Sequence, residues 1–299
     1  MQALNINHTK TDSSNLNFNI MKTLSIPIAA FVILLSSFFI SAKAQDGENV
    51  MNSIPSSLEI SQIIKSLGDS YYKKDQLNNV SFVNNYSTNY KKALNLGIYS
   101  TDLGMASLYK KNQDVLNYLD AVKTLADGLS LSRFFEIKTL SELANGNNIE
   151  KLLQETTKNF SEINDHLNET KRGYQSALLI TGGWIEATYL TTLVYNQSKD
   201  VRLKEKIGEQ KLILETIMAG LQPHAAQQGV AGLIADFKAL QVAYNKVTIT
   251  TKSGGKPKVE EKNGELILTS STQTIVTVSD ADLNTIISVL GGIRKKAVN

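Results

Sequence analysis

Two carboxylates stand out because of what surrounds them. On helical spacing Asp102 shares a face with Ile98, Tyr99, Met105, Ala106 and Tyr109, and Glu186 shares one with Leu179, Gly182, Gly183, Tyr189, Leu190 and Leu193. A charge held away from water is costly, so each acid must be hydrogen-bonded, paired with a cation, or protonated with a raised pKa. Three chemistries fit. In the structural one, the acids bond tyrosine hydroxyls or backbone groups of neighbouring helices, and Gly182 and Gly183 let a helix approach closely. In the ligand-binding one, Asp102 and Glu186 point into a cavity with Tyr99, Tyr109, Trp184 and Tyr189 and orient a small molecule or a peptide. In the enzymatic one the protein is a hydrolase and they form an acid/base pair of the glycosidase kind, whose carboxyls must face each other at ~5 to 10 Å. The structural reading is the leading expectation, because buried polar groups are most often satisfied by protein partners.

Little else in the chain could do chemistry. Beyond the leader the only histidines are His166 and His224. His166 follows Glu162 by four residues rather than the three of a di-iron helix motif, and His224 follows Pro223 in a loop. Zinc-protease, Walker and dinucleotide motifs are missing, and no serine sits in a Gly-x-Ser-x-Gly elbow. With no cysteine, a thiolate metal site, a disulfide and a cysteine nucleophile are excluded. No catalytic residue, metal or cofactor is therefore expected. The stretch from Ser70 to Tyr90 carries Tyr71, Tyr72, Lys73, Lys74, Tyr86 and Tyr90. It suits either a protein-facing surface or a loop packed over the end of the next helix, and the second is expected.

The elements that would position these residues are helical. Ser56 and Glu59 have capping-box spacing, Ile60, Ile63, Ile64 and Leu67 repeat on one face, and Gly68 stands at the stop. Further helices are predicted over Thr88 to Tyr109, from Asn112 to Gly128, near Ser132 to Leu143, and along the stripe Ile149, Leu152, Leu153, Thr156, Phe160, Ile163 and Leu167. Tyr174 to Tyr195 is apolar nearly all round, which places it at the centre of a bundle. Gln175, Glu186 and the threonines make a membrane span costly there. Two amphipathic helices follow on either side of Pro223. After them come β-branched runs at Val247 to Thr251, Glu265 to Thr269 and Thr274 to Val278, around a charged loop from Lys252 to Gly264. Ser279, Asp280 and Asp282 open a last helix, with Arg294, Lys295 and Lys296 complementing its dipole. The expected fold is all-α, an antiparallel multi-helix bundle of eight or nine helices with a small β-rich excursion near 247–278. The segment from Ala106 to Ala121 faintly matches a tetratricopeptide unit, which leaves a repeat array as the alternative.

The runs Ala93-Leu-Asn-Leu-Gly-Ile-Tyr-Ser-Thr-Asp-Leu-Gly-Met-Ala106 and Ala177-Leu-Leu-Ile-Thr-Gly-Gly-Trp-Ile-Glu-Ala187 resemble an uncharacterised exported all-helical protein family of Bacteroidota-type bacteria. The resemblance spans about Leu58 to Tyr244. It implies a helical fold and an envelope location, and it carries over no activity and no site residues.

The N-terminal region agrees with that location. Met21 and Lys22, an apolar stretch from Ile26 to Ile40, and Ala42-Lys43-Ala44 before Gln45 stand in the order of a cleavable signal peptide, residues 21–44. The apolar stretch falls short of the roughly 20 residues that span a bilayer. Residues 1–20 are polar and rich in asparagine, which reads as a non-native or mis-called extension with translation starting at Met21. Residues 45–57 would be a linker, and 58–299 a single helical domain with its β-rich insertion at 247–278. Removing Lys10, Lys22, Lys43 and Asp12 leaves 28 basic against 27 acidic residues. That balance argues against nucleic acid as a partner. Another envelope protein is the natural kind of partner. A periplasmic or secreted location after cleavage near Ala44-Gln45, with no stable membrane insertion, is expected.

Overall fold

A computed structural model describes residues 57–299, apart from 147, 254–257, 263–264 and 270–271. The expected extension, the signal peptide, and the linker up to Ser56 lie outside the described residues. Among those described, nine α-helices run in order: α1 Ser57–Ser66, α2 Asn89–Leu108, α3 Asn112–Gly128, α4 Ile137–Asn145, α5 Ile149–Glu169, α6 Gly173–Ser198, α7 Val201–Leu221, α8 Val230–Tyr244 and α9 Asp280–Val298. The strands β1 Thr248–Ser253, β2 Lys258–Lys262, β3 Glu265–Thr269 and β4 Thr272–Thr277 lie between α8 and α9. The fold is the expected all-α bundle with a small β excursion.

α6 is the axis of the bundle. Every residue from Gln175 to Glu186 is buried, as a helix apolar on all sides requires. It is the one helix among the described residues long and apolar enough to cross a membrane, and most of that length is covered by other parts of the protein. α2 packs on it most extensively, and α5, α7 and α9 lie against other faces. A central helix that joins segments distant in sequence is unlike a solenoid, in which each repeat touches only its neighbours. The tetratricopeptide alternative is thus replaced by a bundle.

Glycines set how closely α2 and α6 approach. A Cβ on Gly182 would sit 1.8 Å from the Leu94 carbonyl oxygen, and one on Gly97 would sit 2.0 Å from that of Leu179. The backbones therefore touch, and Thr101 Oγ1 donates across the crossing to the Gly183 carbonyl at 3.3 Å. The close approach expected from Gly182 and Gly183 is present, and Gly97 completes it from the facing helix.

Helix ends explain the short connections. Lys110, Ser130 and Lys171 adopt left-handed φ values of 54°, 58° and 59°. The next residue in each turns back to donate five residues upstream: Lys111 N to Ala106 O, Leu131 N to Ala126 O and Arg172 N to Leu167 O. None of these stops is glycine, so none was legible as one. Gly68, which was, has φ +103°.

Two boundaries depart from expectation. The fourth helix begins at Ile137 rather than near Ser132, because Ser132–Phe134 forms a separate 3-10 turn. The charged stretch expected as a loop contains strand β2. β1 pairs antiparallel with β4, from Thr248 opposite Thr277 to Ser253 opposite Thr272, and β2 pairs with β3, from Lys258 opposite Thr269 to Lys262 opposite Glu265. Lys-Val-Glu-Glu-Lys has little strand propensity of its own; the ladder with β3 decides its conformation.

The glycine crossing is testable. Gly182→Ala is expected to cost about 2–3 kcal/mol or more by overpacking, read as a lower urea midpoint by circular dichroism. Gly292→Ala, on the exposed face of α9 with nothing within 4 Å of its new methyl, is expected to raise stability by about 0.5–1 kcal/mol.

Candidate functional site

The expected acids meet. Asp102 from α2 and Glu186 from α6 are both fully buried. They lie within hydrogen-bonding reach of one another. Arg294, from the last turns of α9, closes the group. Its Nε and Nη2 each donate at 2.9 Å to one oxygen of Glu186, a bidentate fork. Its guanidinium also stacks over the Tyr189 ring, 4.8 Å from the centroid.

The protonation state follows from this environment. Burial pushes the Asp102 carboxyl well above the ordinary aspartate range, and the neighbouring Glu186 charge pushes it further. Arg294 and the Asn78 N–H only partly oppose that rise. Asp102 Oδ2 accepts from Asn78 N at 3.0 Å. Oδ1 is buried without a donor partner among the described residues, as a carboxyl oxygen that carries a proton should be. A protonated Asp102 hydrogen-bonded to Glu186 completes the arrangement. The cluster then holds one carboxyl, one carboxylate and one guanidinium, and its net charge is zero. For Arg294 burial disfavours the cation, but the charge and hydrogen bonds of Glu186 outweigh it, so the guanidinium stays charged.

A short segment before α2 caps the cluster. Besides the Asn78 N–H on Asp102, Asn78 Nδ2 donates to Tyr86 Oη at 3.1 Å, and the Asn78 carbonyl accepts from Tyr118 Oη at 3.1 Å. The Asn79 carbonyl accepts from Tyr99 Oη at 2.7 Å. Tyr86 Oη in turn donates to the Val298 carbonyl at 3.1 Å, tying the end of α9 to the same segment. Tyr86 is buried while Tyr71, Tyr72 and Tyr90 are half-buried, so the tyrosine-rich stretch packs on the bundle as expected.

The six candidate residues divide. Asp102, Glu186, Tyr99 and Tyr189 belong to the cluster or its immediate surround. Tyr109 lies away from it and donates to the carbonyls of Ile64 and Gly68 at 3.3 and 3.4 Å. Trp184 points to α7, where its Nε1 donates to Gln210 Oε1 at 2.8 Å. The six do not line one cavity. His166 faces Arg133 at the surface and His224 lies beside the Tyr174 ring, both remote from the acids. Among the described residues no group of three His, Asp or Glu is placed to hold a metal.

Sequence reasoning assigned Arg294 to the helix dipole and missed its partner. The signal was present: Ile286, Ile287 and Leu290 place Arg294 on the inward stripe of α9, where a cation needs an anion. Asn78 carried no such signal, because its backbone N–H does the work.

Two carboxyls that hydrogen-bond each other leave no room for a sugar between them, which a glycosidase pair requires. A shared proton can serve acid/base chemistry, but only where substrate reaches it. A groove of about 770 Å3 lies nearby, lined by Tyr72, Asn79, Lys111, Asp114 and Tyr118 among others, and neither Asp102 nor Glu186 is part of its wall.

Protonation makes a specific pH prediction. The folded state keeps the Asp102 proton above the pH at which the unfolded chain releases it, so this residue's contribution is full below about pH 4 and declines as pH rises toward the folded-state value. Asp102→Asn can donate to Glu186 and accept from Asn78 without titrating. It is expected to remain folded and to flatten the fall in urea-unfolding free energy between pH 4 and 8. Glu186→Gln, which strands the Arg294 charge, is expected to cost about 3–5 kcal/mol at any pH in that range.

Comparison with models of known protein families, with curated proteins and with solved structures finds no match.

Proposed function

We propose that this chain is an exported helical module of the bacterial envelope that acts through binding or scaffolding, and that Asp102 and Glu186 serve its packing rather than a reaction. The observation that carries this reading is the sealing of both acids: each is fully buried, and Glu186 spends both oxygens on Arg294. Groups held in this way are compensated by the protein itself, and burial closes them to a substrate.

Export is supported by the signal-like order of residues 21–44, and release by two further features. The chain has no cysteine for lipid attachment at the cleavage site. The apolar helix α6 is committed to the core. Another envelope protein remains the natural partner, since the charge balance offers nucleic acid little attraction.

Expression in a Gram-negative host tests both halves. The mature protein is expected in the soluble periplasmic or culture fraction with Gln45 at its N-terminus; firm retention in the inner membrane would overturn the export reading. Asp102→Asn is expected to capture from envelope extract the same partners as the unmodified protein. If that variant stays folded yet loses a ligand-dependent rise in melting temperature, the acids are a binding or hydrolytic site and the structural assignment fails.

A further inference from the structure

The groove beside the acid cluster has the makings of a ligand site. Its volume of about 770 Å3 lies within the range of small-molecule sites and is far larger than a single inorganic anion needs. One part of its wall is fixed from behind. Asn79 lines it directly, and the Asn78–Asn79 backbone is held by Asp102, Tyr118 and Tyr99 through buried or half-buried hydrogen bonds. The site is therefore preorganised, and a ligand need not order it.

The wall chemistry selects the ligand. Asp114 is nearly buried; it accepts from Tyr72 Oη at 2.7 Å and pairs with Lys74. That consumes one of the three lysines that line the groove. Lys73 and Lys111 are exposed and form no ion pair among the described residues, although Asp75 stands on the same rim. Lys111 lies over the Tyr72 ring, 5.5 Å from its centroid, which holds its charge at the mouth. Two ammonium groups at one opening, neither committed to an ion pair among the described residues, attract an anionic ligand. Also on the wall, the Asp114 carboxylate and the Asn117 amide present an acceptor and a donor suited to hydroxyl groups, and half-buried Tyr72 supplies ring surface.

We propose that this groove binds an acidic saccharide, with Lys73 and Lys111 holding the sugar carboxylates, Asp114 and Asn117 the hydroxyls, and Tyr72 a ring face. An acidic peptide fits less well, because no strand edge lines the groove to pair its backbone. The proposal does not depend on where the protein resides or on whether it has a protein partner.

Isothermal titration of the full-length protein with a tetramer of galacturonic acid, its neutral galactose counterpart and tetraglutamate tests it. The acidic tetramer is expected to bind, at least tenfold more weakly in Lys73→Ala/Lys111→Ala and progressively more weakly as salt rises. Both lysines are exposed, so that variant should match the parent in melting temperature. Tyr72→Phe keeps the ring and should retain most of the affinity, whereas Tyr72→Ala should not. Equal binding of the neutral tetramer overturns the role of the lysines. Binding of tetraglutamate alone overturns the saccharide class, and heat from none of the probes overturns the site.

Discussion

A carboxyl, a carboxylate and a guanidinium meet where α2, α6 and α9 converge, and their charges cancel only while Asp102 keeps its proton. The rest of the architecture depends on that balance. If both acids were ionised against one arginine, a net charge would be buried beside the glycine crossing of α2 and α6, at a cost of several kcal/mol. Neutralised, the cluster joins three helices that are distant in sequence. Glu186 and Arg294 are separated by 108 positions and bonded through two oxygens. Such a connection contributes specificity as well as energy, since any other register of α9 on α6 would strand the carboxylate or the guanidinium.

The glycine contact and the acid cluster are parts of one design. Gly97 and Gly182 bring α2 and α6 to backbone contact, and that proximity lets two short acidic side chains reach each other. The tyrosines around them, Tyr86, Tyr99 and Tyr118, then direct their hydroxyls to carbonyls of the Asn78–Asn79 segment or of α9 rather than to the acids. Burial keeps the Tyr99 and Tyr118 hydroxyls protonated well beyond the ordinary tyrosine range, so they remain donors. One consequence reaches the surface. The segment that caps the acids from inside also forms part of the wall of the groove through Asn79, so the rigidity of the core extends to a solvent-facing site.

Much of this was legible in the sequence, because helices announce themselves by local rules. Period-3.6 stripes, the Ser279 start and the Gly68 stop gave the elements to within a few residues, and the apolar character of α6 gave its central place. Asp102 and Glu186 were legible as buried because their helical neighbours are apolar, whatever the tertiary arrangement. Non-glycine residues at left-handed stops, and a strand made of Lys-Val-Glu-Glu-Lys, were not legible. The strand is held by its ladder with β3, and the stops are closed by hydrogen bonds back into their own helices that any residue type can make.

What the amino-acid sequence determined by itself, then, is that two carboxylates must be compensated inside a helical bundle; periodicity and composition suffice for that. Which compensation operates was decided only by tertiary structure, because it turns on distances between residues remote in the chain. The fold brought Arg294 to Glu186, Asn78 to Asp102, and the acids to each other. It sent Tyr109 and Trp184, which share helices with them, to separate partners. Desolvation made the acids noticeable in the sequence, and the geometry of three converging helices turned them into a sealed, neutral cluster.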